Sequence, residues 1–192
     1  MNERLVRWNE RYRRGEETFV FEPSSPLPAA IAGIAPGLAL DLASGAGRHA
    51  IYLAERGWQV VAVDGADAGV DLMRAEAERR GVADRITAHV ADLMARPRGF
   101  TPAPDTYDLV CDFYFLDRTF FDEIRAAVRP GGLFVAAIHL AEPGDPPDRL
   151  LASGELHRIV SPWGWHVDLV EGPSREHGHE RSTAHLIARR PR

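Results

Sequence analysis

The chain predicts an α/β protein built on a single doubly wound, mainly parallel sheet with helices on both faces. Three observations carry that prediction. In residues 38–54, LALDLASGAGRHAIYLA, alternating Leu38, Leu40 and Leu42 read as a buried strand. Ser44-Gly45-Ala46-Gly47 then reads as a turn, and Ala50, Leu53 and Ala54 as the apolar face of a helix. Strand and helix patterns go on alternating down the chain, which is the signature of a parallel sheet joined by crossover helices. Finally, acids stand where such sheets present ligands, with Asp41 inside the first strand and Asp64 closing the second.

Length and composition agree with one folded domain. A chain of 192 residues is long enough for a full core. Its 45% hydrophobic and 27% charged content are ordinary for a globular protein. No apolar run approaches membrane-spanning length, and RWNERYRRGEE near the N-terminus is too charged for a secretory signal, so the cytoplasm is the expected compartment. Cys111 stands alone, which excludes an internal disulfide and a cysteine metal cluster; its place in an apolar strand reads as core. The net charge of -5 argues against a nucleic-acid partner. All 23 basic residues are arginine, which excludes lysine Schiff-base chemistry and a phosphate-loop lysine.

The glycine turn reads as a ligand site. Gly45 permits a tight turn, Gly47 lets a ligand approach bare backbone, and the new helix offers unpaired N–H groups. Gly45, Gly47 and Ala50 also satisfy a dinucleotide fingerprint. Asp41 decides between ligands: it would repel a pyrophosphate and attract a ligand carrying an ammonium and a sulfonium. S-adenosylmethionine carries both cations and no phosphate. Asp64, 17 residues after Gly47, suits ribose hydroxyls under either reading, and no arginine follows it to receive a phosphorylated ribose.

Taken in order, residues 4–14 predict an amphipathic helix with Leu5, Trp8 and Tyr12 on one face. That face either packs on the domain or covers the cofactor through Trp8 and Tyr12, with Arg11 available to its carboxylate. A proline-rich loop over 19–28 precedes a short helix around 28–35. Strand 58–63 is followed by helix 68–80, with Val70, Met73 and Ala77 inward and Gly81 as its stop. Strand 85–90 leads into Ala91-Asp92-Leu93, and 95–105 is loop. Strand 107–114 ends on Asp112, Phe113 and Tyr114, which should face the reacting group. A helix over 118–128 and a turn at Arg129-Pro130-Gly131-Gly132 introduce strand 133–140. EPGDPPDR then reads as a stiff lid loop, residues 150–159 as helix, and 165–170 and 183–188 as two closing strands. His177-Gly178-His179 between them reads as solvated hairpin and not as a metal site. His139, closing the fifth strand, is either a general base or a satisfied polar residue.

DLASGAGR resembles the first motif of class I S-adenosylmethionine-dependent methyltransferases, and helix, R-P-G-G, apolar strand is familiar from the same family. GRHAIYLAERGWQVVAVD with the upstream WNERY is similar to the small bacterial branch related to tellurite-resistance and thiopurine methyltransferases. The resemblance implies a seven-stranded sheet of order 3-2-1-4-5-7-6 with strand 7 antiparallel. It implies one domain over 1–192: a helical cover (1–35), a cofactor-binding core (36–140), and a lid loop with closing strands (141–192). It implies S-adenosyl-L-methionine as cofactor and S-adenosyl-L-homocysteine as product, held by Trp8, Tyr12, Asp41, Ala43, Gly45, Gly47, Arg48, Asp64, Gly65, Asp92, Leu93 and Phe113. Within that set, Asp92 would meet the adenine amino group. His49 departs from the third glycine of longer loops, and the fourth strand lacks the Asn/Asp-Pro-Pro-Tyr/Phe signature of nucleic-acid amino methylation. A small-molecule acceptor is therefore expected: a thiol, a chalcogen oxyanion, or a hydroxyl or amine. Asp112, Tyr114 and His139 (with Asp117) are the candidate bases where one is needed, and the protein is expected as monomer or homodimer. A nicotinamide-dependent reductase shares the glycines and Asp64 but explains neither Asp41 nor Asp92. A non-catalytic cofactor-binding module shares every motif.

Overall fold

A computed structural model describes residues 3–15, 22–145, 150–174 and 181–192. Its strands are β1 (Leu38–Leu42), β2 (Gln59–Asp64), β3 (Ile86–Val90), β4 (Tyr107–Phe113), β5 (Val128–His139), β6 (His166–Ser174) and β7 (Arg181–Arg189). Its helices are α1 (Glu3–Arg13), α2 (Pro26–Ile31), α3 (Arg48–Glu55), α4 (Asp67–Arg79), α5 (Phe121–Ala127) and α6 (Glu155–Val160).

The strands form one seven-stranded sheet of order β3-β2-β1-β4-β5-β7-β6. β1 with β2, β2 with β3, and β4 with β5 run parallel, whereas β7 is antiparallel to both β5 and β6. This is the predicted order and the predicted reversed strand. The described residues cluster into two compact units, Met1–Pro23 with Ala35–Thr101, and Ser24–Ile34 with Pro102–Arg192.

In the first unit, Leu40 and Leu42 of β1 and Ala62 and Val63 of β2 are fully buried. They are covered by Ala50, Leu53 and Ala54 of α3 and by Val70 and Met73 of α4. Such strands, buried on both faces, read as near-continuous apolar runs. In the second, Leu109 to Cys111 of β4 and Phe134 to Ala137 of β5 are all fully buried, so Cys111 is core as expected.

Four local expectations are corrected. The short helix near residue 30 runs Pro26–Ile31, because proline at its first turn is preorganised for helix and not for loop. The helix predicted over 118–128 begins as a 3-10 turn, Arg118–Phe120, and α5 ends at Ala127. Arg129-Pro130-Gly131-Gly132 lies inside β5, because Val128 already pairs with Tyr107 and the C-terminus holds the glycines. Gly131 donates to the carbonyls of Arg190 and Pro191, and Arg190 donates to that of Gly132. The helix predicted over 150–159 begins only at Glu155, since Leu151 bridges to Leu140 and Gly154 (φ 72°) starts the turn. The His177-Gly178-His179 stretch and residues 146–149 of the lid loop lie outside the described residues.

Candidate functional site

The first unit holds every residue expected around the cofactor except Phe113, which lies in the second. The turn after β1 is fixed by local chemistry: Ala43 takes φ 52° and Gly45 φ 54°, and Gly47 (φ 84°) caps α3 while its carbonyl accepts from Ile51 N–H. Asp64 ties that turn to the next. Its Oδ2 accepts from Gly45 N–H at 2.8 Å and its Oδ1 from Ala66 N–H at 2.7 Å. Burial pushes the Asp64 carboxyl above its ordinary value, opposed by the N–H groups of Ala66, Gly45 and Gly65 and by the charge of Arg4.

Asp41 is 1% exposed. Burial pushes its pKa up to about 7, and the Asp64 charge pushes the same way; the Ala50 N–H and the Arg48 guanidinium oppose them. Among the described residues, Asp41 Oδ2 is buried with no hydrogen-bond partner, and so is the hydroxyl of Ser44 three residues on. A buried acceptor without a donor is destabilising by about 1–3 kcal/mol. Two carboxylates raised together, one with a bare oxygen, form a place that a cation would relieve. S-adenosylmethionine fits this donor set: Asp41 suits its cationic amino-acid end and Asp64 its ribose.

Helix α1 lies over the turn. Tyr12 places its hydroxyl where a Gly45 side chain would start, and its ring lies 2.9 Å from the Cβ position of Gly69. Leu5 covers Gly65 in the same way. Asn9, the buried residue of this helix, accepts from Ala68 N–H at 2.9 Å in the first turn of α4. Trp8 stacks on Tyr12 at 5.8 Å, and Arg11 lies over the Trp8 ring at 4.7 Å, so the expected cofactor role of Arg11 begins from a cation–π contact. The Met73 side chain fills the space that a Cβ at Gly47 would take.

Asp92 follows β3, where its Oδ1 accepts from Met94 N–H at 2.9 Å, so its carboxylate already serves its own turn. Leu93 beside it is buried. Arg48 opens α3.

The second unit gathers the candidate bases. Asp112 and Phe113 are buried at the end of β4, paired with Ala136 and Ala137 of β5. Tyr114 follows at φ 65°, a conformation that a bulky residue holds only when its surroundings enforce it. They do: its N–H donates to Ala137 carbonyl at 2.7 Å, and its ring lies 4.7 Å from that of His139. Its hydroxyl shares a hydrogen bond with Ser24 Oγ at 3.2 Å. His139 Nδ1 lies 3.2 Å from Thr183 Oγ1. Asp117 accepts from the N–H and hydroxyl of Thr119, so it caps a 3-10 turn.

Tyr114 and His139 are thus brought together, with two partners the sequence did not single out. Ser24 lies 90 residues from Tyr114, and Thr183 lies 44 from His139. No local pattern marks either. Ser44 was readable, since it stands inside the motif.

A doubly wound sheet whose first strand leads into a glycine turn, tied to an acid at the end of the second, defines the Rossmann-like fold class. Residues 39–132 match the family model described as a methyltransferase domain. TehB from Haemophilus influenzae is similar over 95% of this chain and 67% of its own, at 18% identity and TM-score 0.71. The 1,6-didemethyltoxoflavin-N1-methyltransferase of Burkholderia thailandensis, solved with 1,6-didemethyltoxoflavin and S-adenosylhomocysteine, is similar over 98% of this chain and 87% of its own. Its identity is 19% and its TM-score 0.70. The [4+2]-cyclase SpnF is similar over 85% and 79%, at 16% identity and TM-score 0.69. No curated protein matches by sequence. Among the described residues no helix is long and apolar enough to cross a membrane, and no three His, Cys, Asp or Glu side chains group as metal ligands.

Proposed function

We propose that this chain is an S-adenosylmethionine-dependent methyltransferase that modifies a small molecule, with the cofactor held through Asp41 and Asp64 and the acceptor handled by Tyr114 and His139. The cluster of Tyr114, His139, Ser24 and Thr183 carries the reading: two rings and two hydroxyls fixed to one another following β4 and β5, where doubly wound sheets present their ligands. When bound, S-adenosylmethionine supplies an electrophilic methyl group on sulfur. The protein's part is alignment, because charge is quenched in the transition state; positioning alone offers effective molarities of about 10⁵ M or more.

Asp112, buried behind Tyr114, completes the set of candidate bases. Trp8, Tyr12, Ala43, Gly45, Gly47, Arg48, Gly65, Asp92, Leu93 and Phe113 remain proposed as the wall of the cofactor site. In this reading residues 1–192 act as one domain, in the cytoplasm, as monomer or homodimer. The net charge of -5 supports a small acceptor over a nucleic acid.

Incubation with methyl-labelled S-adenosylmethionine and a panel of thiols, chalcogen oxyanions and small phenols tests the proposal. Transfer to at least one class is expected. Label that passes to nucleic acid and to none of these would overturn it. A melting screen of S-adenosylhomocysteine against NAD(H) checks the cofactor separately, since only a ligand that binds the folded chain raises the midpoint.

A further inference from the structure

We propose that Asn9 is a positioning residue for the cofactor site: reaching from α1, it supplies the cap that α4 lacks and so seats Tyr12, with Trp8 stacked on it, against the glycine turn. This rests on the reading above that the turn and Asp64 hold S-adenosylmethionine.

The start of α4 takes an acceptor from elsewhere. A helix leaves its first N–H groups without partners of its own, and a Ser, Thr, Asp or Asn side chain at the N-cap commonly accepts from the second or third residue. The N-cap of α4 is Ala66, which carries no such group. Asn9 stands in from 59 residues away: its Oδ1 accepts from the N–H of Ala68, the second residue of α4, at 2.9 Å. The direction of this bond is fixed. A backbone N–H only donates, so the amide oxygen of Asn9, and not its nitrogen, faces it.

Asn9 stands on the face of α1 that meets the turns. Leu5, Asn9 and Tyr12 follow one another at i, i+4 and i+7, which is one side of a helix. Opposite Leu5 and Tyr12 the chain is bare backbone. Leu5 comes within 2.6 Å of the Cβ position of Gly65, and Tyr12 packs on those of Gly45 and Gly69. Apolar contact is not directional, so on glycine it leaves the roll and slide of α1 loosely fixed. Asn9, 7% exposed between them, adds a directional bond and with it a register. Arg13 also pairs with Asp67, but at 3.4 Å and with both side chains more than half exposed, a pair of that kind contributes little.

Asn9 thereby fastens α1 to the piece of chain that carries the expected ribose acid. Asp64 accepts from Gly45 N–H at 2.8 Å and from Ala66 N–H at 2.7 Å, and Asn9 accepts from Ala68 two residues on. The glycine turn, the start of α4 and α1 are tied in series. A cofactor that needs α1 seated binds more weakly by whatever fraction of α1 is unseated.

Calorimetry with S-adenosylhomocysteine and hydrogen exchange read the effect. Asn9→Ala should weaken binding about fivefold or more, the loss of an N-cap expressed as an equilibrium constant, and should speed exchange across residues 3–13 of the unliganded chain. Asn9→Asp keeps an acceptor oxygen and should restore both. Gly81→Ala strains the far end of α4, with nothing near its Cβ position, so it should lower the melting midpoint and leave affinity at the wild-type value. In wild type, bound S-adenosylhomocysteine should slow exchange across residues 3–13. Unchanged affinity in Asn9→Ala overturns the inference, and so does Asn9→Asp binding no better than Asn9→Ala. An equal loss of affinity in Gly81→Ala overturns it too, because general loss of stability would then suffice. Exchange across 3–13 that the ligand does not slow overturns it without any variant. No binding of S-adenosylhomocysteine by wild type would instead sink the reading on which it rests.

Discussion

Replacing Asp41 with asparagine should stabilise the protein at high pH and cripple it as a cofactor binder. The side chain is 1% exposed and its pKa rises from the ordinary 3.8 to about 7, chiefly through burial. Between those two values the folded chain keeps a proton that the unfolded chain has released. Stability therefore falls as pH rises, by about 1.4 kcal/mol per pH unit, and the loss is complete above pH 7. Three units make about 4 kcal/mol at most, a large share of the 5–15 kcal/mol typical of a whole domain. Asparagine keeps the shape and an oxygen for the Ala50 N–H but cannot ionise. The difference in unfolding free energy, wild type minus Asp41→Asn, should thus drop by up to about 4 kcal/mol between pH 4 and pH 8. Urea titrations of the unliganded proteins across that range measure it. Asp64 is raised in the same direction in both proteins and largely drops out of the difference. Affinity for S-adenosylhomocysteine, which carries an ammonium, should move oppositely. If only ionised Asp41 receives it, wild-type affinity at pH 5 is roughly fiftyfold below that at pH 7, while the variant is weak and flat. A stability difference that does not change with pH would refute the reasoning, because the buried charge would then weigh nothing.

Two further outcomes test the turn itself. Gly47→Ala should destabilise the unliganded chain by about 2–4 kcal/mol, adding overpacking against Met73 to left-handed strain; Gly81→Ala, at φ 69° with nothing near its Cβ position, should show only the strain of about 1 kcal/mol. Equal denaturation midpoints for the two would mean that Met73 does not fill the space. Asp64→Ala removes acceptors from the N–H groups of Gly45 and Ala66 and should lower S-adenosylhomocysteine affinity more than tenfold in calorimetry, with a lower melting midpoint. Full affinity in that variant would exclude Asp64 from the site.

Much of this protein is written locally. The motif from Leu38 to Ala54 combines a two-residue period, a glycine turn and a 3.6-residue period within one stretch, and β1 and α3 formed as their own side chains dictate. Asp41 and Asp64 were legible for the same reason: each interrupts or closes a strand whose apolar run makes an acid stand out. Where expectation failed, a distant segment outweighed the local signal. Pro130-Gly131-Gly132 reads as a turn until residues 190 and 191 bind its backbone and draw it into β5. Residues 150–154 have helical spacing, yet Leu151 is taken by a bridge to Leu140. That Met73 packs at the Cβ position of Gly47 likewise shows only in the packing of α4.

The amino-acid order by itself determined the succession of strands and helices along the chain and the acids proposed to meet the cofactor, because periodicity and turn chemistry act over a few residues. Tertiary structure alone decided that Ser24 meets Tyr114 and Thr183 meets His139, because those contacts come from chain packing and from strand register, and a register slip of one residue would turn each side chain to the opposite face.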